Sequence, residues 1–249
     1  MNTDASQPLP PIAGYHPTTL VDWPGRLAAI VFLPRCNLRC RFCHAGPLLT
    51  ESGDTIPLES ILEHVASREG WLDGMVICGG EPTIWPTLPA LCERFRSAGL
   101  AVKLDTNGTF PDRIAALLNA SLLDAVAMDL KAPLDDRYRR VCGTPGMDLS
   151  LVERSIHLLM EGRVDYEFRT TVCPTFIGED EIRAMGASIA GASRWNLQRF
   201  EPTYTLDPAL RDVVPYGPAQ MEALAEIGRT YVARCRIRGR PAEQAARAS

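Results

Sequence analysis

The chain has 249 residues, of which 46% are apolar and 22% are charged, and its formal net charge is −4. This composition suffices for the core of one large α/β domain. No apolar run approaches the ~18 residues that cross a bilayer, and the negative charge gives no general attraction to nucleic acid. The polar, proline-rich start MNTDASQPLPP is not typical of a signal peptide, so we expect a cytoplasmic protein whose eight cysteines stay reduced.

Segments rich in β-forming residues alternate with helical patterns along the chain. The predicted strands cover residues 27–33, 75–78, 101–105, 125–130, 166–172 and 196–200. The predicted helices cover residues 58–68, 88–98, 113–119, 151–160, 180–189 and 218–232. Six β-α units in this order predict an α/β fold with a parallel sheet, in the form of a partial, TIM-like (β/α)6 barrel.

The two ends of the chain are expected to lie outside this core. We predict an N-terminal arm over residues 1–20, a core domain over residues 21–235 and a C-terminal tail over residues 236–249. Alternating arginines near the C-terminus favour the solvated side of a short edge strand, with docking to an acidic partner as the alternative. These arginines are Arg234, Arg236, Arg238 and Arg240.

Local signals mark the starts of three predicted helices. Pro111 and Pro218 stand where the first turn of a helix tolerates proline. Ser150 is predicted to be the N-cap of the helix near residues 151–160, because a serine side chain can accept a hydrogen bond from the first turn.

Three cysteines in the run from Cys36 to His44 are spaced C-x-x-x-C-x-x-C. Three thiolates can hold three corners of a four-iron cluster and leave the fourth iron open for reaction. A closed zinc site needs a fourth ligand at ordinary spacing, and the sequence does not offer one. We therefore predict that Cys36, Cys40 and Cys43 are metal ligands, with a zinc site or incidental buried thiols as alternatives.

The second predicted strand runs into Gly79, Gly80 and Glu81. Two glycines after a strand let the backbone come close to a ligand. In a parallel α/β sheet the chemistry gathers beyond the carboxyl ends of the strands, which is where this turn lies. The alternative is an ordinary turn between a strand and a helix.

Charged side chains follow the next strands in the same way. Asp105 and Thr106 end the third predicted strand, and Asp129 and Lys131 end the fourth, so these groups are expected to converge. Arg169 alternates with uncharged residues on the fifth strand and is expected to point into the mouth of the barrel, where an arginine suits a carboxylate or a ribose. The alternatives are a surface ion pair between Asp129 and Lys131 and a solvated Arg169.

The cysteine spacing, with Phe42 before the third cysteine, resembles the signature of the radical S-adenosylmethionine superfamily. A series of motifs narrows the resemblance to the activating proteins of anaerobic ribonucleoside-triphosphate reductase, within the activating enzymes of glycyl radical enzymes. The motifs are LVDWPGR at 20–26, VFLP at 31–34, LDTNG at 104–108, AMDLKAP at 127–133 and YEFRTT at 166–171.

The resemblance implies an oxidoreductase with a specific reaction. A 4Fe-4S cluster on Cys36, Cys40 and Cys43 would bind S-adenosyl-L-methionine at its open iron and cleave it reductively to a 5′-deoxyadenosyl radical. That radical would remove a hydrogen from one glycine of a partner, the anaerobic (class III) reductase, and leave a glycyl radical. The electron would come from a flavodoxin- or ferredoxin-type donor.

The resemblance also implies roles for cofactor-binding residues, with no catalytic side chain beyond the cluster and the cofactor. The turn of Gly79, Gly80 and Glu81 would position the amino group of S-adenosylmethionine. A monovalent cation beside the cofactor's carboxylate would be held by the group Asp105, Thr106 and Asp129. The cofactor itself would be contacted by Lys131 and Arg169, by Phe42 near the adenine, and by the backbone of His44.

Other functions remain open at this point. The target could be another glycyl radical enzyme such as pyruvate formate-lyase, a peptide or a small molecule. A non-enzyme alternative is an iron-sulfur redox sensor or electron carrier, although such a protein would need neither the turn at Gly79–Glu81 nor the charged strand ends. Cys78, next to that turn, could approach the cluster.

Overall fold

The computed structural model describes residues 8–50, 53–68 and 70–238. Strands in these residues are β1 (Gly14–Thr19), β2 (Ala28–Leu33), β3 (Gly74–Gly79), β4 (Ala101–Thr106), β5 (Ala125–Asp129), β6 (Asp165–Val172), β7 (Trp195–Arg199) and β8 (Cys235–Arg238). Helices are α1 (Leu58–Ala66), α2 (Leu88–Ser97), α3 (Pro111–Asn119), α4 (Asp136–Val141), α5 (Leu149–Met160), α6 (Glu179–Ser188) and α7 (Pro218–Arg229). None of these helices is long and apolar enough to cross a bilayer.

The strands follow one another in chain order, from β1 to β8, in a single sheet. β1 pairs antiparallel with β2, whereas β2, β3 and β4 are parallel to one another. β6, β7 and β8 are parallel as well. This is the α/β fold with a mostly parallel sheet that the alternation of strand and helix patterns predicts.

All six predicted strands and all six predicted helices are present, with ends that differ by a few residues. β1, which lies within the expected N-terminal arm, was not predicted because its sequence GYHPTT contains glycine and proline and has no apolar alternation. Helix α4 was missed because six residues give too short an amphipathic pattern. The predicted short edge strand is present as β8, and its Arg236 is exposed. Arg238 is not on a solvated side as expected, because its side chain is 22% exposed and lies 3.7 Å from Glu167. Arg240 lies outside the described residues.

The helix starts agree with the sequence in two of three cases. Pro111 and Pro218 are the first residues of α3 and α7. The prediction that Ser150 is an N-cap is wrong, because α5 begins at Leu149. Asp148 occupies the preceding position, and its carboxylate accepts a hydrogen bond of 3.0 Å from the backbone N–H of Ser150.

The described residues belong to two compact units. The first unit consists of Met1–Asn37, Pro47–Ala127 and Glu161–Asp165. Its strands β2 and β3 are nearly continuous apolar runs, as is usual for parallel strands that are covered on both faces. One part of its core is formed by the buried residues Trp23, Ala28, Ile30, Val76 and Ala125.

The second unit consists of Leu38–Gly46, Met128–Met160 and Tyr166–Ser249. It contains β7, β8 and helices α4 to α7. Its largest fully buried side chains include Trp195, Tyr138, Phe168 and Phe200. Residues 38–46, which include Cys40 and Cys43, therefore belong to the second unit, whereas the residues directly before and after them belong to the first. The predicted domain boundaries at residues 20 and 235 stay a prediction.

Candidate functional site

In the first unit, the turn after β3 packs directly against backbone. The N–H groups of Gly80 and Glu81 donate hydrogen bonds of 2.9 Å to the carbonyl oxygens of Leu33 and Arg35. A Cβ atom on Gly79 would lie 2.2 Å from the Leu33 oxygen, and one on Gly80 would lie 2.0 Å from the Arg35 oxygen. The two glycines thus permit a close approach, and the backbone they approach leads into Cys36.

The carboxylate of Glu81 is completely buried and fully hydrogen-bonded inside the first unit. Oε1 accepts from the backbone N–H and the hydroxyl of Thr83 and, at 2.7 Å, from the hydroxyl of Thr106. Oε2 accepts from the Asn107 N–H at 2.6 Å. Burial raises the pKa of Glu81, while these four donors act in the opposite direction. The side chain therefore joins the turn after β3 to the turn after β4, and its contact with a cofactor stays a prediction.

An amide network connects the first residue after Cys36 to the turn that follows β4. The side chain of Asn107 donates to the side-chain oxygen of Asn37 at 2.9 Å, and the Asn37 amide donates to the Thr109 hydroxyl at 2.9 Å. Asn107 also accepts hydrogen bonds from the N–H and hydroxyl of Thr109. Within the first unit, the beginning of the cysteine run is thereby fixed to the Asp-Thr-Asn-Gly segment.

Asp105 has a positively charged neighbour that sequence reasoning did not name. Lys103 lies two residues earlier on β4 and hence on the same face, with its Nζ 3.7 Å from Asp105 Oδ1. Both side chains are buried, and Lys103 also donates to the backbone oxygen of Asp22. The protein itself therefore supplies a positive charge beside Asp105.

Cys78 was considered for a role at the cluster because it adjoins the turn after β3. It stands opposite Phe32 in the parallel register of β2 and β3. Both residues pack on the buried core group around Trp23. These contacts account for Cys78 as a packed residue of the first unit, and a role at a cluster stays a prediction.

In the second unit, the loop that carries Cys40 is held by the C-terminal end of α4. The backbone N–H of Arg39 donates to the Cys142 oxygen at 2.9 Å, and the N–H of Arg41 donates to the Val141 oxygen at 3.0 Å. These two hydrogen bonds lie on either side of Cys40. The backbone around this cysteine is thus fixed in place.

The thiol of Cys40 is shifted toward the form that binds metals. A side-chain hydrogen bond from Cys142 lowers the pKa of Cys40 to about 7, burial opposes this shift, and the charge of Lys131 supports it. Burial raises the pKa of Cys92 and Cys235 to about 12. Because the thiolate is the metal ligand, Cys40 is better prepared for ligation than those two cysteines.

Asp129, Lys131 and Arg169 come together in the second unit. The Asp129 carboxylate is 3.2 Å from Lys131 Nζ through Oδ2 and 3.2 Å from Arg169 Nε through Oδ1. Burial raises the pKa of Asp129, but the charges of Lys131 and Arg169 outweigh it and hold the pKa below its usual value. Burial likewise lowers the pKa of Lys131, and Asp129 raises it well above its usual value. The ion pair between Asp129 and Lys131, which was the alternative to a cofactor site, is present, but its cations are largely buried and Arg169 joins it. The cofactor-binding roles of these residues stay a prediction.

Replacing Asp129 by Asn is expected to lower the free energy of unfolding at pH 7 by about 1–3 kcal/mol, because two largely buried cations lose their counter-charge while the carboxylate itself is one-third exposed. The lowered pKa means that this stabilisation is present above the unfolded pKa of Asp, about 3.9, and is lost as pH falls through the lower folded value. Urea unfolding across this pH range measures the difference.

The exposed Asp212 provides the matched control, since Asp212→Asn is expected to change stability by less than about 0.5 kcal/mol. A difference between wild type and Asp129→Asn that is as large at about pH 2 as at pH 7 contradicts the assignment.

Phe42 and His44 occupy defined positions in the second unit. Phe42 is buried, and Lys131 Nζ lies 5.9 Å from the centre of its ring. His44 Nε2 is 2.6 Å from the backbone oxygen of Glu201, in the loop after β7. That loop also donates to the cysteine run through the N–H of Leu206, which lies 3.0 Å from the Cys43 oxygen. The run is therefore held by α4 and by this loop.

Cys36 belongs to the first unit, and Cys40 and Cys43 belong to the second. In the described residues, no group of three or more His, Cys, Asp and Glu side chains is arranged to hold a metal ion. The chemistry of the donor set fits a thiolate-bound iron-sulfur cluster, because three thiols lie within eight residues. The pKa of the Cys40 thiol is lowered, whereas burial raises the pKa of the Cys43 thiol. Ligation by all three stays a prediction.

Sequence reasoning missed several residues of these networks. Asn37 lies inside the cysteine run, so its position beside Cys36 was a usable signal. Lys103 precedes Asp105 by the two-residue period of a strand, which was a second signal. Tyr138 and Cys142 gave none, because their proximity to Cys40 arises from the tertiary contact of α4.

The model of the radical SAM superfamily matches residues 30–185 of this chain, which include every predicted site residue from Cys36 to Arg169. The chain belongs to the radical SAM superfamily. Membership implies a radical SAM enzyme that uses a 4Fe-4S cluster and S-adenosylmethionine, as expected from the cysteine spacing.

One relative matches nearly the whole chain. A Methanocaldococcus jannaschii protein named "Putative glycyl-radical enzyme activating enzyme" is 28% identical over 225 residues, which are 89% of this chain and 92% of that protein. A Metallosphaera sedula protein named "Probable GTP 3′,8-cyclase" is 31% identical over 120 residues, which are 45% of this chain and 36% of the cyclase.

A solved structure is similar in fold. Streptococcus suis SuiB bound to S-adenosylmethionine superimposes with a TM-score of 0.63 at 15% identity, over 84% of this chain and 52% of SuiB. The predicted fold class, an α/β fold of the radical SAM type, is confirmed.

Proposed function

We propose that this protein activates a glycyl radical enzyme, and that its partner is anaerobic ribonucleoside-triphosphate reductase. The observation that carries the proposal is the similarity to the M. jannaschii protein, because it extends over 92% of that protein. The match to the cyclase extends over 36% of the cyclase. The choice of the reductase is supported by the motif series from residue 20 to residue 171.

The cluster and the cofactor would supply the chemistry, in which one electron passed to S-adenosylmethionine would give methionine and a 5′-deoxyadenosyl radical that removes a hydrogen from the glycine Cα. The protein's own part is to bind and to orient, and acid-base side chains are not needed. Cys36, Cys40 and Cys43 would hold the cluster. α4 and the loop after β7 keep the cysteine run in place through backbone hydrogen bonds.

The charges around Asp129 support a site for the carboxylate of S-adenosylmethionine. Lys131 and Arg169 carry two positive charges against one negative charge, which leaves the group with a net charge of +1. Arginine also offers paired donors that match a carboxylate. Lys131 and Arg169 would therefore orient the methionine end of the cofactor.

The monovalent cation is supported by the motif resemblance alone. Asp105 faces Lys103, and Asp129 faces Lys131 and Arg169, so these carboxylates already have positive neighbours. Thr106 donates its hydroxyl to Glu81. A cation here would have to share ligands that are already hydrogen-bonded or paired.

The substrate in this proposal is a glycine in a backbone segment of a large partner. The electron would be delivered by a flavodoxin- or ferredoxin-type protein in the cytoplasm. Exclusion of water and oxygen around the radical would depend on how the partner closes over the site.

Anaerobic reconstitution with iron, sulfide, S-adenosylmethionine and dithionite tests the proposal. With the reductase of the same genome, we expect 5′-deoxyadenosine together with a glycyl signal in electron paramagnetic resonance. A reductase whose acceptor glycine is replaced by alanine is the matched control and is expected to give no such signal.

Two further arms separate the alternatives. A glycyl signal with pyruvate formate-lyase and none with the reductase would overturn the choice of partner but not the activating function. Consumption of GTP, with no glycyl radical on either partner, would favour the small-molecule chemistry indicated by the partial match to the cyclase.

A further inference from the structure

Tyr138, on α4, has a polar group that the described structure leaves unsatisfied. Its side chain is completely buried, and its hydroxyl has no hydrogen-bond partner among the described residues. Nearly all buried polar groups in native proteins are hydrogen-bonded, so an unpaired one indicates a missing partner such as a ligand. A buried hydroxyl without a partner also disfavours the folded state.

The surroundings of this hydroxyl include the second of the three predicted cluster ligands. The ionisable groups that act on it are, in decreasing order, Cys142, Lys131, Cys40 and Asp129. Cys142 follows Tyr138 by four residues, and its backbone N–H donates to the backbone carbonyl oxygen of Tyr138 at 2.9 Å. The two side chains therefore lie on one face of the helix. The hydroxyl therefore lies close to the loop that contains Cys40.

Cys142 already makes the contact that Tyr138 could make. Its thiol is hydrogen-bonded to the sulfur of Cys40. The arrangement is rigid, because Arg39 N–H donates to the Cys142 oxygen at 2.9 Å. Gly143 follows with a φ of 61°, and a Cβ there would lie 2.6 Å from the Arg39 oxygen. The end of α4 therefore holds Cys142 next to Cys40, with Tyr138 one helical turn earlier on the same face.

We propose that the Tyr138 hydroxyl and the Cys142 thiol would donate hydrogen bonds to the Cys40 thiolate when it holds the cluster, and that they would raise the reduction potential of the cluster. Hydrogen bonds to sulfur stabilise the reduced cluster, which carries more negative charge. Both residues act through Cys40 and are positioning residues. The inference depends on the cluster of the superfamily and is independent of the proposed glycyl radical partner.

Redox titration of the cluster-loaded protein, monitored by electron paramagnetic resonance, tests this role without any partner enzyme. Tyr138→Phe removes only the hydroxyl, and Cys142→Ala removes the thiol. We expect iron and sulfide contents equal to wild type, a shift of the midpoint potential to more negative values in each variant, and a larger shift in the double variant.

Two matched variants control for general effects of the substitutions. Tyr166→Phe removes a buried tyrosine hydroxyl that already accepts a hydrogen bond of 3.2 Å from the Ser193 N–H. Cys235→Ala removes a buried thiol on β8. Both proteins are expected to keep the wild-type potential.

An unchanged or more positive potential in both Tyr138→Phe and Cys142→Ala overturns the proposal, as does loss of iron in either variant. If Tyr138→Phe does not fold, Cys142→Ser decides together with Cys142→Ala. Serine keeps a donor at this position, so its potential is expected to lie between those of wild type and Cys142→Ala. Equal potentials in wild type, Cys142→Ser and Cys142→Ala would overturn the role of the thiol.

Discussion

Replacing Cys36, Cys40 or Cys43 by alanine is expected to abolish the 4Fe-4S cluster and the formation of 5′-deoxyadenosine. A cluster that keeps one iron open has three protein ligands, so the loss of any one leaves too few to anchor it. Iron and sulfide analysis after anaerobic reconstitution, followed by chromatography of the products formed from S-adenosylmethionine under dithionite, measures both effects.

The Cys40→Ala variant needs an additional control, because Cys142 lies beside Cys40. The Cys142 thiol is hydrogen-bonded to Cys40, so it could act as a substitute ligand when Cys40 alone is replaced. The double variant Cys40→Ala with Cys142→Ala removes this substitute. Cys92→Ala is the control, since Cys92 is a fully buried thiol of α2 and is expected to keep cluster and activity. Full cleavage activity in Cys36→Ala or Cys43→Ala would refute the assignment of the ligands.

Replacing Gly80 by alanine is expected to destabilise the protein by about 3 kcal/mol or more and to abolish cofactor cleavage. The new Cβ would lie 2.0 Å from the Arg35 oxygen and 2.6 Å from the Arg35 carbonyl carbon. These are backbone atoms, so no side chain can rotate away. Relief requires β3 to separate from the chain before Cys36, which breaks the hydrogen bond from Glu81 N–H to the Arg35 oxygen.

Urea unfolding and cluster content together measure this effect. Gly146→Ala is the matched control, because a Cβ at Gly146 meets no atom within 4 Å. It is expected to leave both quantities near their wild-type values. A Gly80→Ala protein with wild-type stability and normal cofactor cleavage would show that the turn after β3 can move without loss.

The parts of the fold that follow from local pattern were predictable. β2 and β3 are short, nearly continuous apolar runs between turn residues, and such runs specify buried parallel strands. β1 could not be found in this way, because its residues are held mainly by pairing with β2. Helix α4 is similarly too short to show a period and is fixed by its contacts with the cysteine run.

The same distinction between local pattern and tertiary contact separates the site residues that were predictable from those that were not. The three cysteines were predictable because the spacing of metal ligands is a local feature of the sequence. Residues at strand ends, such as Asp129, were predictable because the fold class places functional residues there. Hydrogen bonds between distant segments leave no such trace. The four internal donors to Glu81, and the nearness of Cys142 to Cys40, became visible only with the tertiary structure.

The contact between the turn after β3 and the chain that follows β2 constrains the amino acids on its two sides differently. The atoms nearest to a Cβ on Gly79 or Gly80 are peptide atoms of Leu33, Arg35 and Cys36. A peptide group is the same in every residue, so amino-acid substitutions at positions 33 and 35 leave this contact intact. Positions 79 and 80, in contrast, accept only glycine. In distant homologues, the glycine pair is therefore the more durable landmark for locating the site.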